Sequence, residues 1–301
     1  MATEYSRYCR IVTIALTALT FGLSSTTIAA PVVISGSGNI TGAVNQCRTA
    51  LGDPNNGNIA GPLASGRREI NWDGGGANDT TTAPVTPFDV FLNTRGGQFT
   101  TPGTGLTQAP PSGGLQGGLA GLFSNATYGT TFSAFSPLRL FMSVGSNITE
   151  ALFFVPGSNG SVPATITGFG AVFSDIDVFN SASIQFFAGG ASLGSFFAPV
   201  RTDSTGLSFL CVTFNAGERA SRVRITSGQG ALGAGVNDIS DGGTTDLVVM
   251  DDFLYSEPKN LPAARAAVIP TLSEWGVVLL SLLLVGGLAT ALRRRGRRLA
   301  S

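Results

Sequence analysis

Between residues 30 and 258 the chain has no long stretch in which apolar residues recur every three to four positions. That pattern removes helical bundles, and it removes the crossover helices that a parallel sheet needs. Short runs of Phe, Val, Ile and Thr occur instead, separated by clusters of Gly, Asn, Ser and Pro, with Gly at 41 of 301 positions. The runs Phe88–Leu92, Thr131–Phe135, Arg139–Ser143, Ala151–Val155, Ala164–Phe173, Ser183–Phe187, Ser195–Val200, Leu207–Phe214, Arg222–Thr226 and Leu247–Tyr255 read as strands. In Ser183–Phe187 and Leu207–Phe214 the apolar residues partly alternate, as a strand with one buried face requires. Ala188-Gly189-Gly190-Ala191 joins two runs as a hairpin turn would. One short helix is expected at Ala43–Leu51, capped by Thr41. The expected fold is mainly β: an antiparallel β-sandwich or jelly-roll-like domain over residues 67–257. An N-terminal segment, 30–66, carries the short helix, residues 109–121 form a Gly-rich loop, and 258–268 form a linker.

The two ends have a different character. Arg7 and Arg10 precede the uncharged run Ile11–Leu23, which leads into small residues ending at Ala29-Ala30. A basic start, a short apolar run and an Ala-type exit describe a signal peptide over residues 1–29, a signal helix read by the Sec export machinery. Cleavage is expected after Ala29, since cutting one residue later leaves Pro31 first. At the other end Val277–Leu292 is 16 residues without a charge, about 24 Å of helix. Trp275 precedes it at interface depth, and Arg293, Arg294, Arg295, Arg297 and Arg298 follow. This reads as a single transmembrane helix with a cytoplasmic C-terminus. The expected precursor therefore crosses the inner membrane once and presents residues 30–268 outside the cytoplasm.

The terminal segment Ile269-Pro270-Thr271-Leu272-Ser273-Glu274-Trp275-Gly276, its apolar helix and its Arg cluster closely resemble the IPTL-CTERM protein-sorting domain over residues 269–301. The resemblance implies recognition by an exosortase, a membrane-embedded processing enzyme of Gram-negative bacteria. The mature protein would then be released or transferred to another envelope anchor. A second resemblance covers Gly66–Gly74, Gly168–Asp177, Ala216–Gly228 and Met250–Tyr255, which look like segments of secreted bacterial proteins of undetermined activity. It implies a β-sandwich and carries no catalytic residues across.

Without the two ends, eleven basic and sixteen acidic residues remain. An acidic body offers no broad basic surface for phosphate backbones, so nucleic acid is not an expected partner. The chain has no histidine, which excludes Ser-His-Asp and Cys-His catalysis and every His-ligated metal site. Cys47 and Cys211 remain after signal cleavage. Two readings stay open for them: a disulfide closing a 165-residue loop in an oxidising compartment, or a buried thiol at Cys211.

Chemistry then rests on carboxylates. Asp175 and Asp177 share a face if Phe173–Val178 is extended, and Asp238, Asp241, Asp246, Asp251 and Asp252 fall within 15 residues. Oxygen-rich turns of this kind can hold a structural Ca²⁺, and Asp175, Asp177, Asp238, Asp241, Asp251 and Asp252 are the candidate ligands. Gly190–Gly194 fits G-x-S-x-G and Gly228–Gly233 fits G-x-G-x-x-G, but neither opens a helix, and both read as turns. Three functions are consistent with this chain. The first is a non-enzymatic surface protein acting in the envelope or extracellular matrix. The second is a carbohydrate-binding module, Ca²⁺-dependent or not, with an extracellular polysaccharide as partner. The third is a glycoside hydrolase using a carboxylate pair, for which Trp72, Tyr128 and Tyr255 are the few aromatic sugar platforms.

Overall fold

The computed structural model describes residues 30–73, 84–114, 116–202 and 205–260. The expected signal peptide, 1–29, and the expected sorting signal with its transmembrane helix, 269–301, lie outside these residues. Among the described residues no helix is long and apolar enough to cross a membrane.

Two antiparallel sheets form the body. The larger runs in the order β1 (Val32–Ser37), β11 (Leu207–Thr213), β8 (Gly168–Ser174), β13 (Val249–Ser256), β5 (Leu140–Val144), β4 (Gly105–Ala109). A seventh strand, β2 (Arg67–Ile70), shares the β5 edge of β13, pairing at Phe253–Ser256 where β5 pairs at Met250. The smaller sheet runs β10 (Ala191–Phe197), β9 (Ser183–Ala188), β12 (Arg222–Thr226), β6 (Ile148–Phe153), β3 (Gly97–Thr100). A short pair joins β7 (Ala164–Thr165) to β14 (Lys259–Asn260). The fold is β-sandwich-like, with no parallel pairing between named strands.

The smaller sheet shows the period-2 burial of a half-solvated surface. Thr149, Ala151 and Phe153 of β6 and Val223 and Ile225 of β12 point inward, while Glu150 pairs outside with Arg222 at 2.7 Å and Arg224 at 2.6 Å. The larger sheet is covered on both faces, so β8 and β13 are buried along their whole length. Inward, Phe169, Ala171, Phe173, Phe253 and Tyr255 meet Phe99, Phe153 and Phe186 across the sandwich. Trp72 stacks on Phe141 at 3.6 Å and meets Phe99 and Phe253 edge-on, geometries that add to simple area burial.

Outward, helix α1 (Thr41–Leu51) lays Val44, Cys47 and Leu51 on Val172, Phe209, Cys211 and Leu254. Cys47 and Cys211 are joined by a disulfide whose Cα atoms lie 6.1 Å apart. Close packing here depends on two glycines of β8. A Cβ on Gly170 would stand 2.9 Å from Cys211 Cβ and 3.1 Å from Cys47 Sγ, and one on Gly168 would stand 2.8 Å from Leu51. The Gly-Phe-Gly sequence at 168–170 thus presents a flat face to the helix and a ring to the core. The other outer patch is covered by the short helices α3 (Gly118–Leu122) and α4 (Tyr128–Thr131), whose Leu119 and Tyr128 meet Met142 and Val249.

Several expectations need correction. Phe88–Leu92 is not a strand: Phe88 bridges Phe99 alone, and Leu92 opens a single helical turn, α2 (Leu92–Arg95). Thr131–Phe135 is the exit of α4. Residues 109–121 include β4's last residue and most of α3. In α1 the cap contact comes from Asn39, whose Oδ1 accepts from the Thr41 N–H at 3.3 Å, and the Thr41 side chain makes no capping bond. The segment 30–66 belongs to the main core through β1 and α1, and Lys259–Asn260 continues the fold past residue 257.

Replacing Gly170 by Ala forces a methyl group against the disulfide. The Gly170→Ala variant is expected to lose about 1–3 kcal/mol in urea unfolding followed by circular dichroism, whereas Gly190→Ala, where nothing lies within 4 Å of the added Cβ, should change stability by less than about 0.5 kcal/mol.

Candidate metal centre

The end of β8 builds the first half of an acidic corner. The strand stops where Asp175 takes φ +71°, a left-handed conformation that Asp tolerates better than most residues. Its N–H donates to the Gly206 carbonyl at 2.8 Å, and the Ile176 carbonyl accepts from the Arg201 N–H at 2.8 Å. The following turn is held by Asp246, whose two carboxylate oxygens accept from the N–H groups of Asp177 (3.2 Å) and Val178 (3.0 Å).

The second half comes from the loop before β13. Asp238 stands at the start of a 3₁₀ turn, Ile239–Asp241; its Oδ2 accepts from the Ser240 N–H at 2.6 Å and its Oδ1 from the Leu247 N–H at 2.7 Å. The loop closes tightly at Gly243, where an added Cβ would stand 1.9 Å from the Asn237 carbonyl oxygen. Asp241 accepts from the Thr131 hydroxyl, tying α4 to the same corner.

Asp175, Asp177 and Asp238 each bring a carboxylate oxygen within 4.8 Å of the other two. Asp175 and Asp238 are fully buried, and Asp177 is half-buried. Both oxygens of Asp175 lack a hydrogen-bond partner. Burial, then the charges of Asp238, Asp177, Asp246 and Asp241, push its carboxyl up to about 8. Asp246 is also raised, by burial first, against the hydrogen bonds that favour its charged form. All donors in this corner are oxygens, the donor type of hard divalent cations.

The six candidate ligands therefore divide. Asp175, Asp177 and Asp238 come together, although through a left-handed turn and not through a shared strand face. Asp241 lies behind them on Thr131. Asp251 and Asp252 are elsewhere, because β13 begins at Val249 and carries them away. A register shift between Asp251 and Phe253 against β8 leaves Asp252 as a bulge residue. Asp251 accepts from the N–H groups of Phe135 (2.6 Å) and Ser136 (3.2 Å), and Asp252 accepts from the Ser136 hydroxyl at 2.6 Å.

This second cluster borders a cleft of about 360 Å³ lined in part by Arg48, Glu69, Asn71, Arg95, Ser136 and Asp252. Glu69 is held by Arg48 at 2.9 Å and Arg67 at 2.6 Å. Sequence reading left Ser136 and Glu69 out: a lone Ser and a strand Glu carry no spacing signal. The expected sugar platforms fail on exposure, since Trp72, Tyr128 and Tyr255 are all fully buried. Phe179, beside the acidic corner, is the ring most open to solvent among the described residues, at 79% exposure. The Gly190–Gly194 motif is the β9–β10 hairpin, and Gly228 bridges Leu247 in an irregular segment.

Residues 267–295 match the family model described as the IPTL-CTERM motif. No curated protein and no solved structure is found to match the chain. The chain is thus a β-rich protein carrying a sorting motif at its C-terminal end.

Asp251 supplies a pH test. Burial first, and the neighbouring Asp252 charge second, push its carboxyl up to about 8, far above the roughly 3.9 of an unfolded chain. Between these values the folded state binds more protons, so stability falls as pH rises from about 4 to about 8. The Asp251→Asn variant should flatten that fall by up to about 1.4 kcal/mol per pH unit in urea titrations across the range. An unchanged slope would contradict the assignment.

Proposed function

We propose that the chain is an exported, exosortase-sorted protein of the cell envelope or surface, whose β-sandwich-like domain acts by binding or as a structural element of the extracellular matrix and not by catalysis. The observation that carries this reading is the IPTL-CTERM match at residues 267–295, which begins seven residues after the last described strand ends at Asn260. In this reading residues 1–29 direct Sec export. Val277–Leu292 holds the precursor in the membrane with the Arg cluster in the cytoplasm, and an exosortase acts near Ile269-Pro270-Thr271-Leu272. The Cys47–Cys211 disulfide supports an oxidising destination.

Support for a non-catalytic domain comes from the use its carboxylates are put to. In the cleft, Glu69 is occupied by two guanidinium groups, and Asp252 anchors the Ser136 loop. A hydrolase needs two carboxyl groups free to face one glycosidic bond.

Coexpression with an active exosortase should give an exported product whose mass lacks the C-terminal helix, and coexpression with an inactivated enzyme should leave it intact. An unchanged C-terminus in both would contradict the sorting reading. One observation favours carbohydrate binding as a second reading: Phe179 stands exposed two residues from Asp177. On a broad glycan panel any binding of this kind should disappear in Phe179→Ala; binding that survives the change would exclude Phe179 as the platform.

A further inference from the structure

Among the described residues, Asp175 in the acidic corner at the end of β8 differs from every other buried acid in one respect. Asp246, Asp251, Asp252 and Glu257 each accept hydrogen bonds from N–H groups or hydroxyls. Asp238 accepts two, one on each oxygen, and a carboxylate oxygen keeps a second lone pair free for another partner. Asp175 has both oxygens buried and without a hydrogen-bond partner, and one of them lies within 4.8 Å of carboxylate oxygens of Asp177 and Asp238. A buried carboxylate with no donor is costly unless a positive charge offsets it.

We infer that Asp175, Asp177 and Asp238 bind one Ca²⁺ ion. A central ion with Ca–O distances of about 2.3–2.6 Å is compatible with oxygens up to about 5 Å apart, and these lie within 4.8 Å of one another. Zinc is disfavoured: the chain has no histidine, and both cysteines of the domain are in the disulfide. Magnesium demands a near-ideal octahedron and keeps several waters, which a corner with two fully buried carboxylates suits poorly. Asp246 acts as a positioning residue, since its oxygens fix the backbone of Asp177 and Val178. Bound Ca²⁺ joins the β8 exit to the Asn237–Asp246 loop, and through Asp241 and Thr131 it braces α4. The inference is independent of the sorting reading, because it concerns only the folded domain.

The test uses the full-length chain in detergent, stripped with a chelator and titrated with calcium chloride by calorimetry and thermal unfolding. One ion per chain is expected, with Kd at or below about 1 mM, the range of extracellular modules. At 100-fold excess over Kd the midpoint should rise by roughly 5–10 °C. Asp175→Asn should weaken binding at least about 10-fold, while its calcium-free midpoint stays at or above that of the parent, since a buried repelled charge is gone. Should Asp175→Asn not fold, Asp177→Asn on the half-buried rim serves instead, and Asp251→Asn should bind calcium as the parent does. Absence of any calcium-dependent shift up to about 10 mM, an equal response to magnesium, or an undiminished response in Asp175→Asn would overturn the assignment.

Discussion

Burying a carboxylate costs several kcal/mol unless hydrogen bonds or an opposite charge replace the lost water, and this domain buries Asp175, Asp238, Asp246, Asp251, Asp252 and Glu257. The compensation for these groups organises the loops. Glu257 is met by Arg68 at 2.6 Å, and the same pair collects the Leu63 N–H and the carbonyls of Gly57 and Ile59. That single buried ion pair holds the irregular stretch between α1 and β2 against the end of β13. Asp251 and Asp252 do the same for the Phe135–Ser136 turn, and Asp246 for the Asp177–Val178 turn. Each of these acids fastens a loop by accepting hydrogen bonds from its N–H groups or hydroxyls. Removing the acceptor would leave buried N–H groups unpaired, so these side chains act as structural staples before any functional role is considered.

The sheets supply the rigid frame on which those staples act. A strand covered on both faces cannot alternate apolar and polar residues, and β8 and β13 do not. Their small residues, Gly168 and Gly170, let α1 lie close over the sheet, while Phe169 and Phe173 fill the sandwich. The disulfide ties that helix to β11, so the N-terminal residues become part of the core. The outcome is a domain whose acidic corner is held from three directions: β8, the loop before β13, and α4.

Much of this was legible in the sequence where one rule governed one strand. Ser183–Phe187 read correctly because a half-buried strand must alternate, whereas Leu207–Phe214, read the same way, is a strand buried on both faces from Ser208 onward. Phe88–Leu92 and Thr131–Phe135 read as strands because their rings are apolar; in the structure those rings serve the core from loop backbone, with Phe88 and Phe91 against Trp72. Gly97–Thr100 and Gly105–Ala109 escaped notice because Gly, Gln and Thr become strand residues here through pairing, which composition does not report. For the site, nearness in sequence grouped Asp238 through Asp252, whereas β13 separates them. Asp175 and Asp177 were identified from an extended spacing that does not exist, and they meet Asp238 through a turn that no local pattern announces.

Asp175 is the exception among the described buried acids: neither of its oxygens has a hydrogen-bond partner within the chain, and the inferred cation supplies that partner. Anomalous X-ray diffraction from crystals grown with calcium addresses that directly. The expected result is one peak bonded to oxygens of Asp175, Asp177 and Asp238 at about 2.3–2.6 Å. A well-ordered corner with no such peak, its Asp175 carboxyl protonated and bonded within the protein, would contradict it.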